Sequence, residues 1–92
     1  MSVSEDELRR GREAAEDLLE EMGLAAYLYE VEPADGDWLV RVECAVSEGW
    51  QTLELPVPSE RLLVAPEDAR VRAELLADWG GELADCRRLA ED

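Results

Sequence analysis

The side chains able to do chemistry in this 92-residue chain are hydroxyls, two cysteines and a large excess of carboxylates, because histidine is absent. Nucleophilic catalysis needs a serine, threonine or cysteine beside a general base, and imidazole is the usual base. Triad arrangements are therefore excluded. Cys44 and Cys86 fall outside any C-x-x-C spacing, and without histidine they complete no zinc ligand set. Paired carboxylates of the kind that cleave glycosides are available on composition. With 24 acids, however, some pair is always close, and a chain this short is not expected to build the cleft that desolvates one.

Asp35-Gly36-Asp37 carries two acids of a calcium loop, but the EF-hand needs acids at three alternate positions, a following glycine and a distal glutamate. The tripeptide reads instead as a hairpin turn. No glycine-rich phosphate cradle is present. The residues thus assign no catalytic group, no cofactor and no metal, and a non-enzymatic protein is expected.

What stands out is charge. The formal net charge is −15, while 47% of residues are hydrophobic, enough for the chain to fold rather than behave as a disordered acidic tail. Such a surface repels nucleic acid and anionic lipid, so direct binding to either is not expected. No apolar run approaches the ~20 residues of a membrane span. Met1 to Glu7 is acidic where a signal peptide would be basic and then apolar, which gives a cytoplasmic expectation. Both cysteines alternate with apolar neighbours and read as buried thiols. A Cys44–Cys86 disulfide is the alternative, disfavoured by cytosolic redox conditions.

The elements that carry these charges follow from periodicity. Ser4-Glu5-Asp6-Glu7 has the form of a capping box, with acids at the positive end of a helix dipole. Leu8, Ala15, Leu18, Leu19 and Met22 then recur at helical spacing until Gly23, which suits a left-handed C-cap. Gly11 weakens the first turns. From Ala25 the period becomes two. Two strands surround the turn at 33–37, and a third covers 51–57, with Trp38, Val40, Val42, Cys44, Val46, Leu53, Leu55 and Val57 facing a core. Pro56 and Pro58 mark the third strand as an edge. Residues 59–65 read either as a turn of helix or as a fourth strand. Pro66-Glu67-Asp68 opens a helix with Val71, Leu75, Leu76 and Trp79 inward, Gly80-Gly81 breaks it, and a last short helix turns Leu83, Cys86 and Leu89 inward with Arg87 and Arg88 near its end. The expected fold is α+β: one domain, a two-layer sandwich of an N-terminal helix, a three-stranded antiparallel meander and one or two C-terminal helices. Double-stranded RNA-binding domains share this order, but they rely on lysines at the start of the last helix, where this chain has PEDAR.

A loop at Glu48-Gly49 pairs Val46 with Gln51, Cys44 with Leu53 and Val42 with Leu55, and it places Glu43 opposite Glu54. A three-residue loop would bury Glu54 and is rejected. Residues 24–58 carry seven acids and one arginine, the least compensated part of the chain. The outer sheet face then shows Leu28, Glu30, Arg41, Glu43, Trp50, Thr52 and Glu54, rimmed by Glu32, Asp35, Asp37 and Glu48, and Glu13, Asp17 and Glu20 of the first helix are candidates to extend it. Acids around an exposed tryptophan describe an apolar anchor in a polar ring.

These residues are expected to bind a basic protein surface, most often found on proteins that handle nucleic acids, as an inhibitor or regulator. On size and charge the chain resembles the DNA-mimic inhibitors that phages direct against restriction or CRISPR nucleases (anti-CRISPR proteins). The alternatives are a small adaptor or accessory subunit binding through Trp50, Leu28 and Leu39, and a salt-adapted domain whose acids serve solubility.

Overall fold

The computed structural model describes residues 4–34 and 36–89. Helix α1 (Glu5–Met22) leads into a meander of β1 (Tyr27–Ala34), β2 (Asp37–Val46) and β3 (Gly49–Pro58), followed by α2 (Ser59–Val64), a 3-10 turn (Ala65–Glu67) and α3 (Ala69–Glu82). The strands lie in the order β1-β2-β3. All helices pack on one sheet face, giving the expected α+β two-layer sandwich.

Local signals set the ends of these elements. The Ser4 side chain accepts a hydrogen bond from the Glu7 amide, and Gly23 closes α1 in the left-handed conformation at φ 69°. Residues 59–64, ambiguous between helix and strand in the sequence, are helical. α3 begins after Asp68 rather than with Pro66 at its first position: Asp68 caps it by accepting from the amides of Arg70 and Val71, while Pro66 sits in the preceding 3-10 turn.

The core is one cluster. Ala14, Ala15, Leu18 and Leu19 of α1 meet Val31, Trp38, Val40, Val42, Cys44, Leu55 and Val57 of the sheet, with Leu62, Leu75, Trp79, Leu83 and Cys86 closing it. Trp38 is fully buried because α1 comes unusually near it at Gly11. A Cβ at position 11 would lie 1.2 Å from Cζ3 of the indole. The glycine that weakens the helix in isolation is therefore what admits the largest core side chain.

Four expectations are corrected. Gly80 and Gly81 lie within α3 and do not break it. Residues 83–89 form no helix: they run back as a strap beside the loop after α1, through a bridge between Leu24 and Arg88 and backbone hydrogen bonds Ala25 N to Arg87 O (2.8 Å), Arg87 N to Ala45 O (2.8 Å) and Leu89 N to Gly23 O (2.7 Å). Leu83 and Cys86 point inward as expected, but Leu89 is 73% exposed. Arg88, within the strap, ends no helix of its own, and its guanidinium donates instead to the carbonyls of Met22, the last residue of α1, and Leu83, the C-cap of α3.

The third correction concerns the cysteines, which form a Cys44–Cys86 disulfide that ties the strap to the central strand. The fourth is the register of the second hairpin. Val46 pairs with Gly49, so the loop is Ser47-Glu48, Glu43 faces Thr52, and Glu54 faces Arg41. This is a slip of two residues from the expected pairing. Core parity survives a slip of two, so the apolar pattern cannot separate the two registers. Charge does: opposite charges directly across a sheet are favourable and like charges unfavourable, by roughly 0.2–1 kcal/mol. Gly49, assigned to the turn on sequence, instead opens β3 at φ 135°.

Candidate functional site

The outer sheet face is built by alternation. Leu28, Glu30 and Glu32 of β1, Leu39, Arg41, Glu43 and Ala45 of β2, and Trp50, Thr52, Glu54 and Pro56 of β3 share it. Register arranges them in rows across the strands: Leu28, Glu43 and Thr52; Glu30, Arg41 and Glu54; Glu32, Leu39 and Pro56.

Arg41 organises the middle of this face. Its Nη1 donates to Glu30 at 3.2 Å, and its Nη2 donates to Glu32 at 3.0 Å and Glu54 at 3.3 Å. The two carboxylate oxygens on Nη2 therefore lie at most about 6 Å apart. The guanidinium pKa is raised, first by the hydrogen bond to Glu54 and then by the charge of Glu32. One cation thus gathers three acids, and the face stays net negative. Glu32, expected at the rim, belongs to this central cluster.

Glu43 stands apart from that cluster. It accepts from the Thr52 hydroxyl at 3.4 Å. On one side of it lies Leu28, 63% exposed, and beyond the Thr52 row lies Trp50, 61% exposed and paired with Ala45. The face therefore has a carboxylate cluster in the middle and an end where Glu43 sits between two apolar side chains. Leu39, an expected apolar contact, is half-buried.

The other named residues divide by location. Asp37 begins β2 and Glu48 lies in the second hairpin loop, both exposed at opposite ends of the sheet. Asp35 lies outside the described residues. Glu13, Asp17 and Glu20 are exposed on α1, which packs on the other side of the sheet, so they do not continue the outer face. Asp17 is engaged elsewhere: with Glu21 it holds Arg72 of α3, at 3.0 Å for the Asp17 contact. Glu20 lies toward β1, where it raises the Tyr27 pKa after the larger effect of burial. Tyr29 donates its hydroxyl to Glu16 at 3.2 Å, and its pKa is raised by burial first and then by the Glu16 charge.

Sequence reasoning placed the right side chains on this face but missed its central feature, the Arg41 cluster. The missed signal was a single arginine in the middle strand with Glu30 and Glu32 on one neighbour and Glu54 on the other, which votes for a register once parity is satisfied. Among the described residues no helix is long and apolar enough to cross a membrane. No family model matches the sequence, and neither a curated protein nor a solved structure shows significant similarity to it.

Proposed function

We propose that this chain is a non-enzymatic interaction domain whose outer sheet face docks on a basic protein surface, the nucleic-acid-binding surface of a DNA-handling protein, which it inhibits or regulates as a DNA mimic. The observation that supports this reading is the composition of one face: Glu30, Glu32, Glu43 and Glu54 around a single arginine, with Leu28 and Trp50 exposed at one end. Carboxylates supply steering and salt dependence, and the exposed apolar side chains supply an anchor. Those apolar side chains also favour the second reading, an adaptor held mainly through Trp50 and Leu28. The cytoplasmic location that suits a nuclease inhibitor sits against the Cys44–Cys86 bond, because reducing compartments keep structural thiols reduced.

The test is capture of partners from host lysate at low salt, eluted separately with duplex DNA and with high salt, using the wild-type chain, Glu43→Arg with Glu48→Arg, and Trp50→Ala as baits. These acids are chosen because neither bonds Arg41. A DNA-handling protein released by DNA and lost by the charge-reversed bait supports the mimic. A partner indifferent to DNA and lost only with Trp50→Ala supports the adaptor. A partner retained by both variant baits refutes the face as the binding site.

A further inference from the structure

We infer that the partner's contacting element is an extended basic segment that adds a fourth strand to the free edge of β1; this rests on the acidic-face reading and specifies the occupant. Among the described residues β1 pairs with β2 on one side only. The hydrogen bond from Ala45 N to Ala26 O (3.1 Å) fixes the phase of the ladder. Pairs two residues apart then share it, so Leu28, Glu30 and Glu32 direct their backbone polar groups to β2, and Tyr27, Tyr29 and Val31 direct theirs outward. Pro33, the next outward position, has no N–H to offer, and it ends the usable edge. By the same alternation Pro56 and Pro58 occupy two of the five outward positions of β3 and remove their donors from that edge.

The β1 edge is reachable. An open groove of about 410 Å³ runs beside it, lined by Arg12, Tyr29, Glu30, Val31 and Glu32. Glu30 and Glu32 line it on the outer face, and on the α1 side Arg12 lines it, with Glu16 and Glu20 acting on the tyrosines. A second copy of this chain is the usual occupant of such an edge, but pairing β1 with β1 would bring two chains of net charge −15 together with these carboxylates converging. An incoming strand with arginine or lysine on alternate positions meets Glu30 and Glu32 with one face. Its intervening aliphatic residues cover the half-buried rings of Tyr27 and Tyr29 with the other. Main-chain bonds to Tyr29 and Val31 would give affinity, and alternation would give specificity.

The test uses a short peptide of alternating arginine and valine and its block isomer of identical composition, with binding followed by titration calorimetry at low salt. The alternating peptide should bind at least roughly tenfold more tightly, since only it can both form the ladder bonds and direct its charges to one face. N-methylation of its valines should abolish that advantage and N-methylation of its arginines should preserve it, because in an antiparallel strand only the residues opposite Tyr29 and Val31 bond to β1. In a parallel strand the two methylated peptides exchange roles, and the inference stands. Hydrogen exchange should show the Tyr29 and Val31 amides newly protected. Equal binding of the two isomers, equal tolerance of both methylated peptides, or self-association of the chain through β1 would overturn the added strand while leaving an acidic docking face intact. No binding of either cationic peptide at low salt would overturn that underlying reading as well.

Discussion

Reducing the Cys44–Cys86 disulfide should remove a large share of this protein's stability, and the size can be worked from the chain. The bond closes a loop with a sequence separation of 42. Cross-linking a loop of that length lowers the entropy of the unfolded chain by about 13 cal/mol/K, or about 4 kcal/mol at 25 °C. A domain of this size has roughly 5–15 kcal/mol in total, so the bond supplies from about a quarter to about four fifths of it. At roughly 4–8 °C for each kcal/mol, the melting temperature should fall by about 15–30 °C. Both cysteines are buried, so reduction is best done in denaturant, followed by refolding with or without reductant. Urea melts followed by circular dichroism compare the two forms, and reduction is preferable to substitution because it leaves both sulfur atoms in the core. A midpoint unchanged by reductant, or two thiols that titrate in the native, unreduced protein, would refute the reasoning.

Gly11→Ala should destabilise the fold by about 1–3 kcal/mol or more, measured by urea denaturation, because the overpacking of Trp38 outweighs a helix-propensity gain of about 1 kcal/mol. An unchanged or raised midpoint would show that α1 can move off the indole. Ser4→Ala should cost about 0.5–2 kcal/mol through loss of the cap to the Glu7 amide, read in the same assay. Tyr27 and Tyr29 have pKa values raised on folding, so the neutral phenols favour the native state. Their contribution is complete below the unfolded value of 10.0 and is lost as pH rises through the folded values. Phenolate absorbance should therefore appear at higher pH in the native than in the unfolded protein, and Glu16→Gln should move the Tyr29 transition down. Arg41→Gln should leave Glu30, Glu32 and Glu54 without their shared cation, lowering the melting temperature slightly at low salt, with recovery on adding salt.

Much of this fold was readable from period and punctuation. The capping box at Ser4, the glycine at 23 and the switch to alternation after Ala25 each act locally, and each specified its element. What escaped depends on partners distant in sequence. The second hairpin has two registers that bury the same side chains, and the choice rests on Arg41 finding Glu54. Gly80-Gly81 stays helical because Trp79 and Leu83 on either side are held in the core, so burial overrides weak propensity. The last residues were read as a helix from their apolar spacing. Two of its three inward positions, Leu83 and Cys86, are indeed buried, but they hold a strap whose backbone bonds go to Gly23, Ala25 and Ala45. For the candidate site, membership of the face was legible from alternation, whereas its internal pairing was not.

The strap gives this small domain an unusual response to mechanical force. Tension applied to the chain beyond residue 89 does not run back along α3. It passes through Cys86 directly to Cys44 in the middle strand, so everything between those residues, including β3, α2 and α3, is bypassed by the load. With the bond intact, about 140–150 Å of contour length is withheld from extension, taking the separation of 42 at 3.3–3.6 Å per residue. Single-molecule stretching would release that hidden length only in reductant. A cargo fused after residue 89 would be tethered to the centre of the sheet rather than to its last helix.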